Sequence, residues 1–150
     1  MSPLKPAVVR FYFDADLLGL GKLLSPQRSD FTYPGDLGGT IKKRPRPPCP
    51  ITDPATKDPE WIPVVARLGW VIVTRDRRIQ ERPAEIAAVR DSGAKMVNLA
   101  SADAGTTWAQ LEVFMTQWRR IEALAERPGP FIFSANRTSF RELSLTRPSV

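Results

Sequence analysis

The sequence predicts an α/β fold with a mainly parallel sheet and helices on both faces, on three observations. Short apolar runs of strand length alternate along the chain with segments of helical periodicity. Two of these runs, residues 8–13 and 70–74, lead to aspartates at Asp14 and Asp76, as strands of a parallel sheet do at a ligand-binding edge. The chain has 150 residues, of which 42% are hydrophobic, enough for one domain with a substantial core. We therefore expect a single three-layer α/β/α domain over residues 1–150.

The first half of the chain contains two predicted strands, one helix and a long irregular segment. Residues 8–13 form the first strand, Asp14 to about Leu24 a helix with a leucine-rich side, and residues 31–33 a short second strand. Residues 34–59 are rich in proline, glycine and basic side chains, which is typical of a turn followed by extended chain. A loop this long, with its Pro-rich basic part at 40–57, is usually functional or flexible.

The second half predicts a regular alternation of helices and strands. Asp58 as the N-cap and Pro59 at the first helical position begin a helix that Gly69 ends. The further elements are a strand over 70–74, a helix over 83–91 ended by Gly93, a strand over 95–99, a long amphipathic helix over 106–126, a strand over 131–133, and a tail over 134–150 that packs as a further strand or arm. This order predicts right-handed crossovers and parallel pairing.

Charge and the rare residue types narrow the class of function. The chain carries 22 Lys and Arg against 16 Asp and Glu, a net charge of +6 and a pI of about 10.0. This favours a polyanionic partner such as RNA or DNA over a basic composition without function. There is no histidine, which excludes histidine-dependent triads and histidine-based ribonuclease chemistry. The single cysteine, Cys49, forms no internal disulfide and, without histidine, no zinc site.

The sequence gives no sign of a membrane protein or a secreted one. No apolar run approaches the roughly 18 residues of a membrane span, and the first residues lack the apolar core of a signal peptide. We therefore expect a cytoplasmic protein with no membrane partner.

Four acidic positions are candidates for the chemistry: Asp14, Asp36, Asp58 and Asp76. In a parallel sheet, strand ends and the helix starts beside them converge on one edge. A cluster of like charges is unfavourable by itself, and a hard cation such as Mg²⁺ or Mn²⁺, which prefers oxygen ligands, relieves it. Such an ion supports phosphodiester hydrolysis, because it polarises a phosphoryl oxygen and lowers the pKa of bound water.

Alternative roles remain open for each of these residues. Asp14, Asp58 and Asp76 also suit helix caps, and Asp36 in a Pro-Gly-Asp turn suits turn chemistry. Asp16 and the Thr74 hydroxyl are next in reach, as further ligands or as groups that orient the ligands. Asp16 also suits the first turn of a helix as a solvated acid.

Four motifs, in order and spacing, resemble those of PIN-like nucleases, in particular the group with an Asp-Glu-Asn-Leu opening. Residues 11–17 are similar to the opening strand, 33–38 to the second acidic site, 58–62 to the third, and 71–79 to the hallmark strand that runs into Thr-Arg-Asp. The resemblance covers roughly residues 8–100.

The resemblance implies a single PIN-like domain that acts as a metal-dependent endoribonuclease, often the toxin of a bacterial toxin–antitoxin pair of the VapC type. Asp14, Asp36, Asp58 and Asp76 would be catalytic; the Mg²⁺ or Mn²⁺ ligands would be Asp14, Asp58 and Asp76, with Asp16 and Thr74. RNA would be the substrate, an antitoxin protein the partner, and a homodimer the assembly.

The chain departs from the family pattern in several places. Asp16 stands where the family usually has an amide side chain. Asp53 or Glu60 is an alternative to Asp36 as the second acidic site. The 40–57 segment is longer than expected, and residues 106–150 lie outside the resemblance.

Basic and aromatic residues beside these motifs have two readings each. Lys42, Lys43, Arg44 and Arg46 form either a phosphate-contacting flap at the active edge or a solvated loop, and Arg75, Arg77 and Arg78 either steer an RNA backbone towards the metal or pair with acids. Trp108 and Trp118 belong to the core, or to a surface where an antitoxin or a second subunit docks.

Two alternative functions remain. One is a phosphatase of the haloacid dehalogenase type, with Asp14 as nucleophile and Thr74 as the strand-end hydroxyl, for which Lys95 is a poor candidate lysine. The other is a catalytically incomplete PIN-like module that binds nucleic acid or a partner protein.

Overall fold

The computed structural model describes residues 4–76, 81–100, 102 and 104–146 of the chain. Its elements are β1 Phe11–Phe13, a 3-10 turn Ala15–Leu17, α1 Leu18–Leu24, β2 Phe31–Thr32, β3 Gly39–Ile41, β4 Arg44–Arg46, α2 Asp58–Leu68, β5 Val71–Thr74, α3 Pro83–Ser92, β6 Lys95–Leu99, α4 Thr107–Thr116, α5 Trp118–Leu124, β7 Phe131–Ala135 and β8 Phe140–Glu142. No helix in these ranges is long and apolar enough to cross a lipid bilayer.

A six-stranded, mainly parallel sheet organises the fold. The strand order is β2-β1-β5-β6-β7-β8, with every pair parallel except β7 and β8. Phe13 of β1 pairs with Val73 of β5, and Thr74 pairs with Asn98 of β6. The carboxyl ends of β1, β5 and β6 are therefore level, and the residues that follow them meet at one edge. The predicted α/β fold with a parallel sheet is confirmed.

The two faces of the sheet carry separate cores, because successive strand residues point to opposite sides. In β1, Phe11 and Phe13 join a core under α1, α4 and α5, whereas Tyr12 joins a core under α2 and α3. The first core contains a group of ring contacts with centroids 5.2–6.0 Å apart, formed by Phe11, Phe13, Phe31, Phe114 and Trp118. Helices on both faces give the three layers that the sequence predicts.

The predicted helix over 106–126 is two helices. Gln117, at φ −101° and ψ 6°, separates α4 from α5. Its buried side-chain amide donates to the carbonyl oxygens of Asn136 at 2.8 Å and Ser139 at 3.3 Å, in the connection between β7 and β8. Trp118 packs against the first core, but Trp108 is 71% exposed. The predicted position in the core is therefore confirmed for Trp118 and wrong for Trp108.

The segment predicted as irregular contains a β-hairpin. Strands β3 and β4 pair with Ile41 opposite Arg44, so Lys42 and Lys43 form a two-residue turn. Both lysines have positive φ, 49° and 67°, as a type I′ hairpin turn requires. The usual sequence signal for this turn is Asn-Gly or Asp-Gly, which explains why the hairpin was missed.

Two predicted helix starts differ in detail. A 3-10 turn, Ala15–Leu17, precedes α1 where one continuous helix was expected, and Asp14 is its N-cap. Lys57 is the N-cap of α2, and Asp58 is already the first helical residue. The Asp58 carboxylate accepts a hydrogen bond from the Trp61 indole at 3.0 Å. The predicted capping role of Asp58 is therefore wrong.

Candidate active site

An acidic pocket of about 420 Å³ opens at the carboxyl ends of β1 and β5. Five carboxylic acids line it together with polar, basic and small residues: Asp14, Ala15, Asp16, Pro54, Thr56, Asp58, Thr74, Arg75, Asp76, Arg82 and Glu85. Three of the four aspartates proposed as catalytic therefore lie in the same pocket, with Asp16 and Thr74. The convergence follows from the parallel pairing of β1 with β5 and from the position of α2 beside them.

Asp14 is fixed by the backbone at the end of β1. Its amide donates to the carbonyl of Val73 at 2.9 Å, which extends the β1–β5 pairing by one residue. One carboxylate oxygen, Oδ1, accepts from the Ala15 amide at 2.6 Å, and the other, Oδ2, accepts from the Thr74 hydroxyl at 3.0 Å. The strand and the 3-10 turn thus hold both oxygens in place.

Asp16 shares the Thr74 hydroxyl with Asp14. Its Oδ2 lies 3.0 Å from Thr74 Oγ1 and 3.2 Å from the Arg75 amide nitrogen. Because Oδ2 of Asp14 and Oδ2 of Asp16 each lie 3.0 Å from the same hydroxyl oxygen, the two carboxylates are close neighbours. A hydroxyl has one proton to donate, so Thr74 fully satisfies only one of the two carboxylates at a time.

Asp76 is positioned by a side chain that the sequence reasoning missed, Asn98. The Asn98 amide accepts from the Asp76 backbone amide at 2.7 Å and donates to the Asp76 carbonyl at 2.6 Å. Asn98 is buried on β6 opposite Thr74, so it extends the sheet pairing with side-chain atoms. The Asp76 carboxylate meets the Arg82 guanidinium at 2.5 Å. A polar residue near the end of an apolar strand was the available signal for Asn98.

Glu85 is an acid of the pocket that was not predicted. It lies in the first turn of α3, and its side chain faces the pocket across from Asp14 and Asp58. In the sequence it looks like a solvated helix residue, because no apolar strand precedes it. Its place in the pocket depends on the packing of α3 against α2.

Burial and mutual repulsion raise the pKa of three of these acids. Burial raises the pKa of Asp14 to about 6, against the opposing effect of the hydrogen bonds from Ala15 and Thr74. Burial and the Asp14 charge raise the pKa of Asp16 to about 7. Burial, followed by the charges of the pocket aspartates, raises the pKa of Glu85 to about 7. The pocket therefore holds more negative charge than its own cations neutralise.

Asp36, the fourth predicted acid, lies outside this pocket and has a structural partner. Its Oδ2 accepts from Arg46 Nε at 2.9 Å and from the Thr32 hydroxyl at 2.9 Å, and both charged side chains are buried. The catalytic role predicted for Asp36 is corrected to a buried ion pair. Of the alternatives, Asp53 accepts from the Ala55 amide at an exposed turn and Glu60 is exposed on α2; neither lines the pocket.

The predicted nucleic-acid contacts divide into three groups. Arg46 is buried against Asp36, so it is not available to a nucleic acid. Lys42, Lys43 and Arg44 are exposed on the β3–β4 hairpin but do not line the acidic pocket. The structure therefore does not place the predicted phosphate-contacting flap at the active edge. Arg75 lines the pocket, and its buried Nε has no acceptor in the described part of the chain. Arg77 and Arg78 lie outside the described residues.

The donor chemistry of the pocket fits a hard divalent cation. Carboxylates and a hydroxyl are the oxygen ligands that Mg²⁺ and Mn²⁺ take, and excess negative charge is what such an ion offsets. Within the ranges described, however, no three acidic or cysteine side chains stand close enough together to form a ready-made metal cage. Asp58 and Asp76 are instead occupied by Trp61 and Arg82.

The sequence matches the profile of the family described as "PIN like domain" over residues 10–101. The match covers more than half of the chain, and the chain belongs to this family. Membership in this family indicates a nuclease-type function, and nucleases are hydrolases. No curated protein and no solved structure matches the chain.

Proposed function

We propose that the protein is a Mg²⁺- or Mn²⁺-dependent endoribonuclease. The observation that carries the proposal is the acidic pocket, in which aspartates from β1, α2 and the end of β5 converge in a PIN-like domain. The net charge of +6 supports a polyanionic substrate.

The described residues have distinct roles in this proposal. Asp14, Asp58 and Asp76 would hold the cation, which when bound polarises a phosphoryl oxygen and lowers the pKa of water. Thr74 orients Asp14 and Asp16, and Asn98 orients Asp76 through its backbone.

Arg75 is suited to bind the substrate phosphate in this pocket. Its buried Nε has no acceptor among the residues that the structure describes, and a guanidinium matches phosphate geometry with several parallel donors. Arg75 therefore places a positive charge beside the described carboxylates without forming an ion pair with them.

RNA cleavage by single-residue variants tests the proposal. Wild type, Asp14→Asn and Asp76→Asn are compared on a structured RNA with Mg²⁺ or Mn²⁺, and Asp91→Asn serves as the control because Asp91 is an exposed acid on α3 outside the pocket. We expect at least about a hundredfold loss for both pocket variants, the scale of a lost electrostatic contact in an active site, and wild-type activity for the control. Equal activity in all four proteins would rule the site out.

We further propose that the enzyme is the toxin of a bacterial type II toxin–antitoxin system in the cytoplasm. The support is the similarity of its motifs to the VapC-type group and an exposed apolar position for a partner, Trp108 with Met115 one heptad away on α4. Expression of wild type should arrest growth, and expression of Asp14→Asn should not. Rescue by the adjacent small reading frame would support the toxin role; normal growth with active wild-type enzyme would contradict it.

A catalytically incomplete PIN-like module is the second candidate function. Two observations favour it: Asp36 is held by Arg46, and no ready metal cage is present in the described ranges. Calorimetry with Mn²⁺ separates the two candidates, because an incomplete site would show no heat that depends on Asp14.

The phosphatase alternative is disfavoured by the position of its lysine. Lys95 is the first residue of β6, at the amino edge of the sheet, and its ammonium donates to the Ala125 carbonyl at 3.1 Å. No lysine lines the acidic pocket in the part of the chain that the structure describes.

A further inference from the structure

The acidic pocket cannot by itself attract an RNA strand. Among the described lining residues, five carboxylic acids face only two guanidinium groups, Arg75 and Arg82, and Arg82 is already paired with Asp76. Binding of a polyanion depends on cations that contact its phosphates. Cations elsewhere on the surface must therefore supply most of the affinity.

A basic groove of about 460 Å³ lies at the other edge of the sheet, where β1 and β2 begin. Its lining contains four cationic side chains: Arg10, Arg28, Lys42 and Arg44. The other lining residues are Val8, Gln27, Ser29 and Asp30. Its one acid, Asp30, is engaged by Arg28 at 3.0 Å and 3.1 Å. Lys42 and Arg44 are exposed and have no carboxylate within ion-pair distance in the described chain. Arg10 pairs with Glu126 at 3.6 Å and Arg28 with Asp30, so the groove has an excess of positive charge that Lys42 and Arg44 carry.

Contacts with the rest of the domain hold Arg28 and the β3–β4 hairpin in place. The Arg28 guanidinium lies 4.7 Å from the Trp118 ring centroid, and it also pairs with Glu122 at 3.7 Å. The β3–β4 hairpin docks on the chain before β1 through a hydrogen bond from the Ala7 amide to the Pro45 carbonyl at 2.8 Å. The groove is thus a defined feature of the fold.

The hairpin turn keeps lysines where the backbone disfavours them. Lys42 and Lys43 both have left-handed backbone angles, which non-glycine residues adopt at an energetic cost. Strain of this kind concentrates at functional sites. The turn places Lys42 in the groove and Lys43 outside it.

The groove and the acidic pocket lie at opposite ends of the same strand. Arg10 precedes β1 and Asp14 follows it, and four residues of strand span about 13 Å. A third cavity, at the turn over residues 33–38, shares Pro54 with the acidic pocket and ends at Gly38, where the hairpin begins. This cavity therefore lies between the acidic pocket and the hairpin that carries Lys42 and Arg44.

We propose that this basic groove binds the phosphate backbone of single-stranded RNA at a distance from the bond that is cut. The inference rests on the proposed ribonuclease function, since it assigns the substrate strand a second contact site. A positively charged groove that follows the backbone is how proteins bind single strands without reading sequence.

The test is an RNA-binding measurement in EDTA, so that no cleavage interferes. Fluorescence anisotropy of a labelled 20-nucleotide RNA compares wild type with Lys42→Ala/Arg44→Ala. The control, Lys43→Ala/Arg67→Ala, removes the same charge from the same turn and from an exposed site on α2, across the sheet from Trp118. We expect about tenfold weaker binding for the groove variant, a salt slope smaller by about 1.4, and near wild-type binding for the control.

Several outcomes would overturn the proposal. Wild-type affinity of the groove variant would show that the groove does not bind the RNA. Equal weakening by the control would show that only net charge matters. Displacement of the RNA by a polyglutamate peptide of the same charge at the same concentration would show that the groove accepts any polyanion.

Cleavage assays separate this inference from the proposed function. If wild type cuts RNA, the groove variant should show a higher KM on long RNA, with an unchanged kcat and unchanged cleavage of a dinucleotide. If wild type cuts nothing but the groove variant still loses binding, the groove is supported and the nuclease is contradicted.

Discussion

At the scale of single residues, the Thr74 hydroxyl is the point where two carboxylates approach each other. Asp14 and Asp16 each place an oxygen 3.0 Å from it, and one proton cannot serve both fully. Burial is the largest cause of the raised pKa values of both acids, and for Asp16 the charge of Asp14 adds to it. This local excess of charge is the physical basis for expecting a cation there.

The first prediction concerns the pH dependence of stability without metal. The pKa values of Asp14 and Asp16 are raised in the folded protein, to about 6 and about 7, so the folded state holds protons that the unfolded chain releases. Stability from these groups is therefore complete below about pH 4 and is lost as the pH rises to about 7. Urea unfolding should show this decline, and Asp16→Asn should reduce it. An unchanged decline in Asp16→Asn, matching the control Asp91→Asn, would contradict the assignment.

A second prediction concerns Arg82, which competes with a metal ion for Asp76. Its guanidinium lies 2.5 Å from the carboxylate and also repels a cation in the pocket. Arg82→Ala should therefore tighten Mn²⁺ binding by about tenfold, the size of one partly buried charge interaction, as measured by calorimetry. Arg90→Ala, on the helix for which Arg82 is the N-cap residue, removes a cation paired with Asp91 and should leave the affinity unchanged. Weaker binding by Arg82→Ala would contradict this role.

At the scale of elements, the pair Asp36–Arg46 fastens the β3–β4 hairpin to the rest of the domain. Arg46 also donates to the carbonyls of Ser25 at 3.2 Å and Arg28 at 3.3 Å, and Asp36 accepts from the Gly38 amide at 2.9 Å. The pair thus links the turn after β2, the end of β4 and the chain after α1. Because the hairpin carries Lys42 and Arg44, this contact also positions one wall of the basic groove.

The third prediction follows from the burial of this pair. Asp36→Ala leaves Arg46 as an unpaired buried charge, so the free energy of unfolding should fall by about 3–5 kcal/mol, measured by urea denaturation. The protein that remains folded should still cleave a dinucleotide, which does not reach the basic groove, at a rate near that of wild type. Unchanged stability together with lost cleavage would instead restore the catalytic role first predicted for Asp36.

The sequence predicted elements well where the pattern is local. The apolar runs of β1, β5 and β6 and the glycines after α2 and α3 are short-range signals, and Gly69 and Gly93 do adopt the left-handed C-cap conformation. The break at Gln117 was not predictable, because apolar residues continue at helical spacing on both sides of it. Its cause is a pair of carbonyls from the β7–β8 connection, which are distant in sequence.

The same distinction applies to the candidate site. Asp14 and Asp76 were predictable from the sequence because each follows an apolar strand, and parallel pairing brings such ends together. Asp36 looked equivalent, but its pairing with Arg46 across a hairpin was hidden. Glu85 was missed for the converse reason, since only the packing of α3 brings it to the pocket.

At the scale of the whole molecule, the two ends of the sheet carry opposite charge. Acidic side chains gather at the carboxyl edge, and the basic groove lies at the amino edge. This separation divides the proposed work between chemistry at one end and substrate binding at the other. It also reconciles a chain of net charge +6 with a candidate active site that repels phosphate.

The central claim is that one divalent cation binds between Asp14, Asp58 and Asp76, and anomalous diffraction from crystals grown with Mn²⁺ tests it most directly. We predict a single strong anomalous peak in the acidic pocket, about 2.1–2.3 Å from carboxylate oxygens of these aspartates, and no such peak in Asp14→Asn crystals. A peak elsewhere, or none in the pocket at millimolar Mn²⁺, would contradict it.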